Sequence, residues 1–96
     1  MSYRRVYIGT FKGDRDLAAE INLFKETVVP AMTARGATSL EMIQTDSNKF
    51  VGTATYPDKI TADANPDEIQ ALRKKIIELF SLTDIEIYEG MAVVGL

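Results

Sequence analysis

The chain has 96 residues, 46% hydrophobic and 26% charged, with a net charge of −3. This describes one globular domain, and no run approaches the ~20 apolar residues that a bilayer crossing needs. Histidine, cysteine and tryptophan are absent, which excludes imidazole and thiolate catalysis, disulfides and the usual transition-metal ligands.

Val6-Tyr7-Ile8-Gly9-Thr10-Phe11 is rich in β-branched and aromatic residues and predicts the first strand. Lys12-Gly13-Asp14 breaks it, and Asp14 or Asp16 caps a helix. In that helix Leu17, Ile21, Phe24, Val28 and Met32 fall on one stripe. Pro30 lies inside the stripe and removes the bond to the Glu26 carbonyl, so a kink at 26–29 or a fresh turn at Pro30 is expected. Gly36 is a left-handed stop. Ala37–Thr45 predicts the second strand, Asp46-Ser47-Asn48 a turn, and Lys49–Tyr56 the third strand of a hairpin. A short helical turn over Ile60–Ala64 follows. Asn65-Pro66-Asp67-Glu68 then offers an N-cap side chain, a proline at the first helical position and a carboxylate at the third. Ile69, Leu72, Ile76, Leu79 and Phe80 mark the buried face of the second long helix, with Arg73-Lys74-Lys75 read as a solvated face. Ile85–Val94 predicts the last strand.

The β-α-β-β-α-β order predicts an α+β, ferredoxin-like domain spanning residues 1–96, with an antiparallel sheet of order 4-1-3-2 and both helices on one face. The other face should be polar if it meets water. Instead Val6 and Ile8 oppose Tyr7 and Phe11, Val51 opposes Phe50 and Tyr56, and Tyr88 opposes Ile85 and Ile87. A sheet apolar on both faces needs a second cover, and a second copy of the chain packed across a two-fold axis is the economical one. A chain this short buries only roughly two-thirds of its unfolded surface, so association would also thicken a thin core.

Phe11-Lys12-Gly13 at the exit of the first strand, the run from Val29-Pro30 to Gly36-Ala37, and the stretch from Phe50-Val51-Gly52 to Tyr56-Pro57-Asp58-Lys59 resemble the dimeric α/β-barrel superfamily. Within it they resemble antibiotic-biosynthesis-monooxygenase-like domains. The resemblance implies a homodimer with a pocket in each subunit between sheet and helices. Activities in that superfamily include cofactor-independent oxidation of polycyclic phenols, quinol oxidation, haem degradation and lactone isomerisation. The haem-degrading type uses His with Asn and Trp, and this chain has neither His nor Trp. The cofactor-free oxygenases use Asn, Trp and Tyr to hold an acidic phenol; of these, tyrosine is the match here.

General-base chemistry must then come from carboxylate, lysine or tyrosine. Glu41, between Leu40 and Met42, is the candidate base if a second cover desolvates it; on a terminal strand it equally reads as solvent-facing. Glu86 and Glu89 carry the same two readings. Tyr7 is the second catalytic candidate, and Tyr56 and Asn22 are candidate ligand-binding residues. For the tyrosines the competing reading is core or interface, and for Asn22 it is a solvated helix face. No metal or cofactor site is expected. Nor is nucleic acid a partner, given the acidic balance, nor a membrane. Met1-Ser2-Tyr3-Arg4-Arg5 runs straight into a strand pattern, and with no cysteine this predicts a cytoplasmic protein. The expected function is small-ligand binding by a cofactor-independent monooxygenase or isomerase acting on a small aromatic or enolisable substrate. The alternative is a non-catalytic ligand-binding or dimerisation domain.

Overall fold

The structure, a computed structural model, describes residues 2–95. Strand β1 (Tyr3–Phe11) leads into a continuous helical segment, α1, over residues 17–34. The hairpin of β2 (Ser39–Asp46) and β3 (Lys49–Tyr56) follows. A one-turn helix α2 (Lys59–Asp63), the long helix α3 (Pro66–Leu79) and strand β4 (Leu82–Met91) complete the chain. All pairings are antiparallel and the sheet order is β2-β3-β1-β4, the expected order read from its other end.

Alternation along the strands sorts the two faces as the sequence implies. Tyr3, Arg5, Tyr7 and Phe11 of β1 share the helix-covered face with Phe50, Ala54 and Tyr56 of β3. Val6, Ile8, Val51 and Ile43 lie side by side on the opposite face, which no element among the described residues covers. Gly9 is where the covered face is tightest. A Cβ there would enter the ring of Phe50, which is fully buried and packed on Phe11 with centroids 5.4 Å apart.

Segment α1 is not a plain α-helix. Asp16 caps it, its Oδ1 accepting from the Ala18 amide at 3.0 Å. A 3-10 turn (Leu17–Glu20) and an α turn (Ile21–Leu23) lead to a π turn (Phe24–Val28), in which the Val29 amide reaches the Phe24 carbonyl; α geometry resumes over Val29–Ala34. The widened turn ends just before Pro30, where the missing N–H leaves the ladder one donor short. This is the disruption expected from the proline, in a form that still keeps Phe24, Val28 and Met32 buried. Gly36 ends the segment at φ +94°.

Three local expectations change. Asn65 takes a left-handed conformation and its side chain makes no cap bond; its carbonyl instead accepts from the amides of Glu68 and Ile69 at 3.0 and 3.1 Å. β1 begins three residues early because Tyr3 finds partners on both sides, Tyr56 and Met91. β4 runs Leu82–Met91 rather than 85–94, because an irregularity at Thr10/Phe11 pairs Phe11 with Leu82. Among the described residues no helix is long and apolar enough to cross a membrane.

Candidate functional site

Between the inner face of the sheet and helices α1 and α3 lies a cavity of about 220 Å³. Its walls are apolar, with Phe24, Val28 and Met32 from α1 and Ile69, Leu72 and Ile76 from α3. Its polar lining comes from Arg5 and Tyr7 of β1, Tyr56 of β3, Arg35 at the end of α1, Gln70 and Arg73 of α3, and Glu89 of β4.

A hydrogen-bond cluster fixes one side. Arg5 is buried; its Nη1 donates to the Ala62 carbonyl at 2.7 Å, Nη2 to Asp63 Oδ1 at 2.6 Å and Nε to Glu89 Oε2 at 3.2 Å. The Tyr3 hydroxyl donates to the other Glu89 oxygen at 2.6 Å. That hydroxyl, and after it the Arg5 guanidinium, hold the Glu89 carboxyl below the ordinary carboxylate range against the opposing pull of burial. Arg35, also buried, donates from Nη2 to the same Ala62 carbonyl at 3.1 Å. That carbonyl is available for a local reason. Four residues on stands Pro66, which has no N–H to offer the last turn of α2.

Tyr7 and Tyr56 stand together on the cavity floor. Burial first, and then the neighbouring Tyr56, push the Tyr7 phenol well above the ordinary tyrosine value. Tyr7 is therefore a neutral donor at physiological pH, not a base. The Tyr56 hydroxyl meets the Met32 sulfur at 3.9 Å. A thioether is a weak acceptor, so the hydroxyl keeps bonding capacity for a ligand.

The four sequence-derived site residues separate into two groups. Tyr7 and Tyr56 line the cavity. Glu41 is exposed on the uncovered face of β2, opposite Thr53, and Asn22 is exposed on α1; neither lines the cavity. Glu86 shares the uncovered face, where it accepts from the Tyr88 hydroxyl at 2.7 Å. Glu89 is the carboxylate that does reach the cavity. Arg73 also departs from expectation. Lys74 and Lys75 are exposed, whereas Arg73 is half-buried, lines the cavity and has its Nε buried without a hydrogen-bond partner. Its spacing from Ile69 and Ile76 was the available signal, four residues after one and three before the other. For Arg5 the signal was its place between Tyr3 and Tyr7 in the strand alternation. Nothing local marks Arg35 beyond its position before Gly36.

No family model matches the chain, and no curated protein matches it. Solved structures do. A dimeric ferredoxin-like protein from an uncultured marine organism is 18% identical, with a TM-score of 0.73 over 99% of this chain and 98% of that one. SnoaB, a cofactor-independent oxygenase from Streptomyces nogalater, is 23% identical, with a TM-score of 0.62 over 99% of this chain and 96% of its own. A monooxygenase from the gene ActVA-Orf6 of Streptomyces coelicolor, solved in complex with Nanaomycin D, is 14% identical, with a TM-score of 0.71 over 99% and 90% of the two chains. At these identities the likeness is one of fold. The chain has the ferredoxin-like α+β fold.

Proposed function

We propose that the chain is a homodimeric small-ligand protein with cofactor-independent monooxygenase or isomerase chemistry toward an aromatic or enolisable substrate. The observation that carries this reading is the pair Tyr7 and Tyr56, two phenols on the floor of a cavity whose helix-side walls are apolar. A flat substrate fits such walls, and the neutral Tyr7 hydroxyl donates to an oxygen whose negative charge grows as the substrate loses its proton. Glu89 lines the cavity and is the carboxylate assigned to receive that proton, with a basicity that its bonds to Tyr3 and Arg5 reduce; the sequence candidate Glu41 faces the other way. In the oxygenase case dioxygen is the oxidant: a ring CH₂ becomes a carbonyl, and the second oxygen atom leaves as water with the two hydrogens. That two structural neighbours are described as oxygenases, and another as dimeric, supports the reading at the level of fold.

Oxygen uptake with hydroxyanthrone and naphthol probes, with products identified by mass spectrometry, is the test. Turnover that drops by ~100-fold or more in the Tyr7→Phe/Tyr56→Phe double variant supports the assignment. Absence of both uptake and isomerisation with every probe sinks the catalytic part. Binding without turnover would favour the non-catalytic ligand-binding alternative, to which the full engagement of both Glu89 oxygens lends weight.

A further inference from the structure

The cavity carries more positive charge than the protein itself balances, and we propose that the excess serves the ligand: an apolar carboxylic acid, held as its carboxylate by Arg35 and Arg73. Its carbon body would lie against Phe24, Leu72 and Ile76. The proposal rests on the cavity being a ligand site, as above, but not on turnover.

Among the described residues three guanidinium groups and one carboxylate line the cavity. Arg5 is accounted for, since it bonds Glu89, Asp63 and a carbonyl. Arg35 is not. It is buried, and among the described residues its side chain makes one bond, to the neutral carbonyl of Ala62. Arg73 is the second, with a buried Nε that finds no acceptor among the described residues.

A guanidinium has five donors and cannot shed its proton, so burial without an anion is costly in a way that a lysine or histidine would escape by neutralising. A planar carboxylate matches the guanidinium fork and removes that cost. Tyr7, held neutral, adds an uncharged donor to the same lining. Size and field narrow the class. The cavity falls below the about 300–1,000 Å³ of drug-sized pockets, which favours one or two rings. The chain's net charge of −3 disfavours polyanions such as nucleotides.

Calorimetric titration of the wild-type chain with naphthoate and its uncharged isostere naphthamide at neutral pH tests this. Naphthoate should bind at least about tenfold more tightly. Arg73→Gln should bring naphthoate down to the naphthamide level and leave naphthamide unchanged, while Arg73→Lys should restore part of the preference. Equal affinities in the wild type overturn the proposal without any variant, and so does failure of both probes to bind at millimolar concentration. A preference untouched by both Arg73→Gln and Arg35→Gln overturns the assignment to these arginines. Equal binding of the two probes leaves the ligand cavity standing and removes only the carboxylate. Tight naphthoate binding with no turnover of any phenol has the reverse meaning: the carboxylate site stands and the catalytic reading fails.

Discussion

Two ionisable side chains at the cavity respond to pH in opposite directions. Glu89 is held below its ordinary value by the Tyr3 hydroxyl and Arg5. A depressed carboxylate contributes stability that is present above its unfolded pKa and is lost as pH falls through the folded one. Melting temperature should therefore decline as pH drops below the ordinary carboxylate value of 4.5, and Glu89→Gln should flatten that decline while lowering stability at neutral pH. Partial exposure of the pair keeps the effect small. Tyr7 is raised by burial and by Tyr56, so its contribution is fully present below 10 and is lost as pH rises from there. Ultraviolet titration should show a last tyrosine phase that comes together with unfolding, later than those of Tyr3 and Tyr88, which their carboxylate partners also raise, and Tyr7→Phe should remove that last phase. The direction of neither side chain can be read from composition. Tyr7 was legible because strand alternation places it on the face of Phe11; alternation also puts Glu89 with Ile87 and Glu86 with Tyr88, and the register with Arg5 and Ile8 gives Glu89 its partner.

At the scale of elements, most boundaries follow from local chemistry. β3 ends as expected because Pro57 ends it, and α3 starts at Pro66 because proline suits a first turn. Where expectation and structure part, tertiary pairing decides. Val93 and Val94 have strand propensity but no partner strand and are 75% and 90% exposed, whereas Leu82 finds Phe11. The β1–β3 contact gives a sharp test. Gly9→Ala forces the buried Phe50 ring off its place, and the expected loss is ~1–3 kcal/mol in a denaturant melt, with the fold retained. A loss within error would mean that the Phe11–Phe50 pair is loosely packed. The basic run on α3 shows the opposite limit of sequence reading. Arg73 differs from Lys74 and Lys75 only in helix phase, and its spacing of four from Ile69 and three from Ile76 is the signal that reading the three as one solvated run passes over.

The whole molecule has one well-filled face and one bare one. Val6, Ile8, Val51 and Ile43 form an apolar band with Arg4, Glu41 and Glu86 around it, the arrangement expected of a surface that meets another copy. Sedimentation at micromolar concentration should give twice the chain mass. Val51→Lys, at the centre of the band, should shift the species to monomer without removing the helix-side core. A wild-type monomer would contradict the two-faced reading of the sheet. That reading was legible because a period of two needs only the order of residues, whereas the cavity needs residues from six elements brought together.

The π turn in α1 has a meaning for the gene as well as for the helix. It holds one residue more than an α turn requires, so it is equivalent to a single in-frame codon carried within a helix. Deleting the codon for exposed Lys25 or Glu26 leaves Phe24 and Val28 three residues apart, still on one face and still at the cavity. The deletion also returns the Pro30 ring to ordinary helix geometry, where it meets the carbonyl behind it. The extra codon and the proline are thus coupled. Loss of the first is tolerable only alongside replacement of the second, and an evolutionary path that straightens this helix has to take both steps.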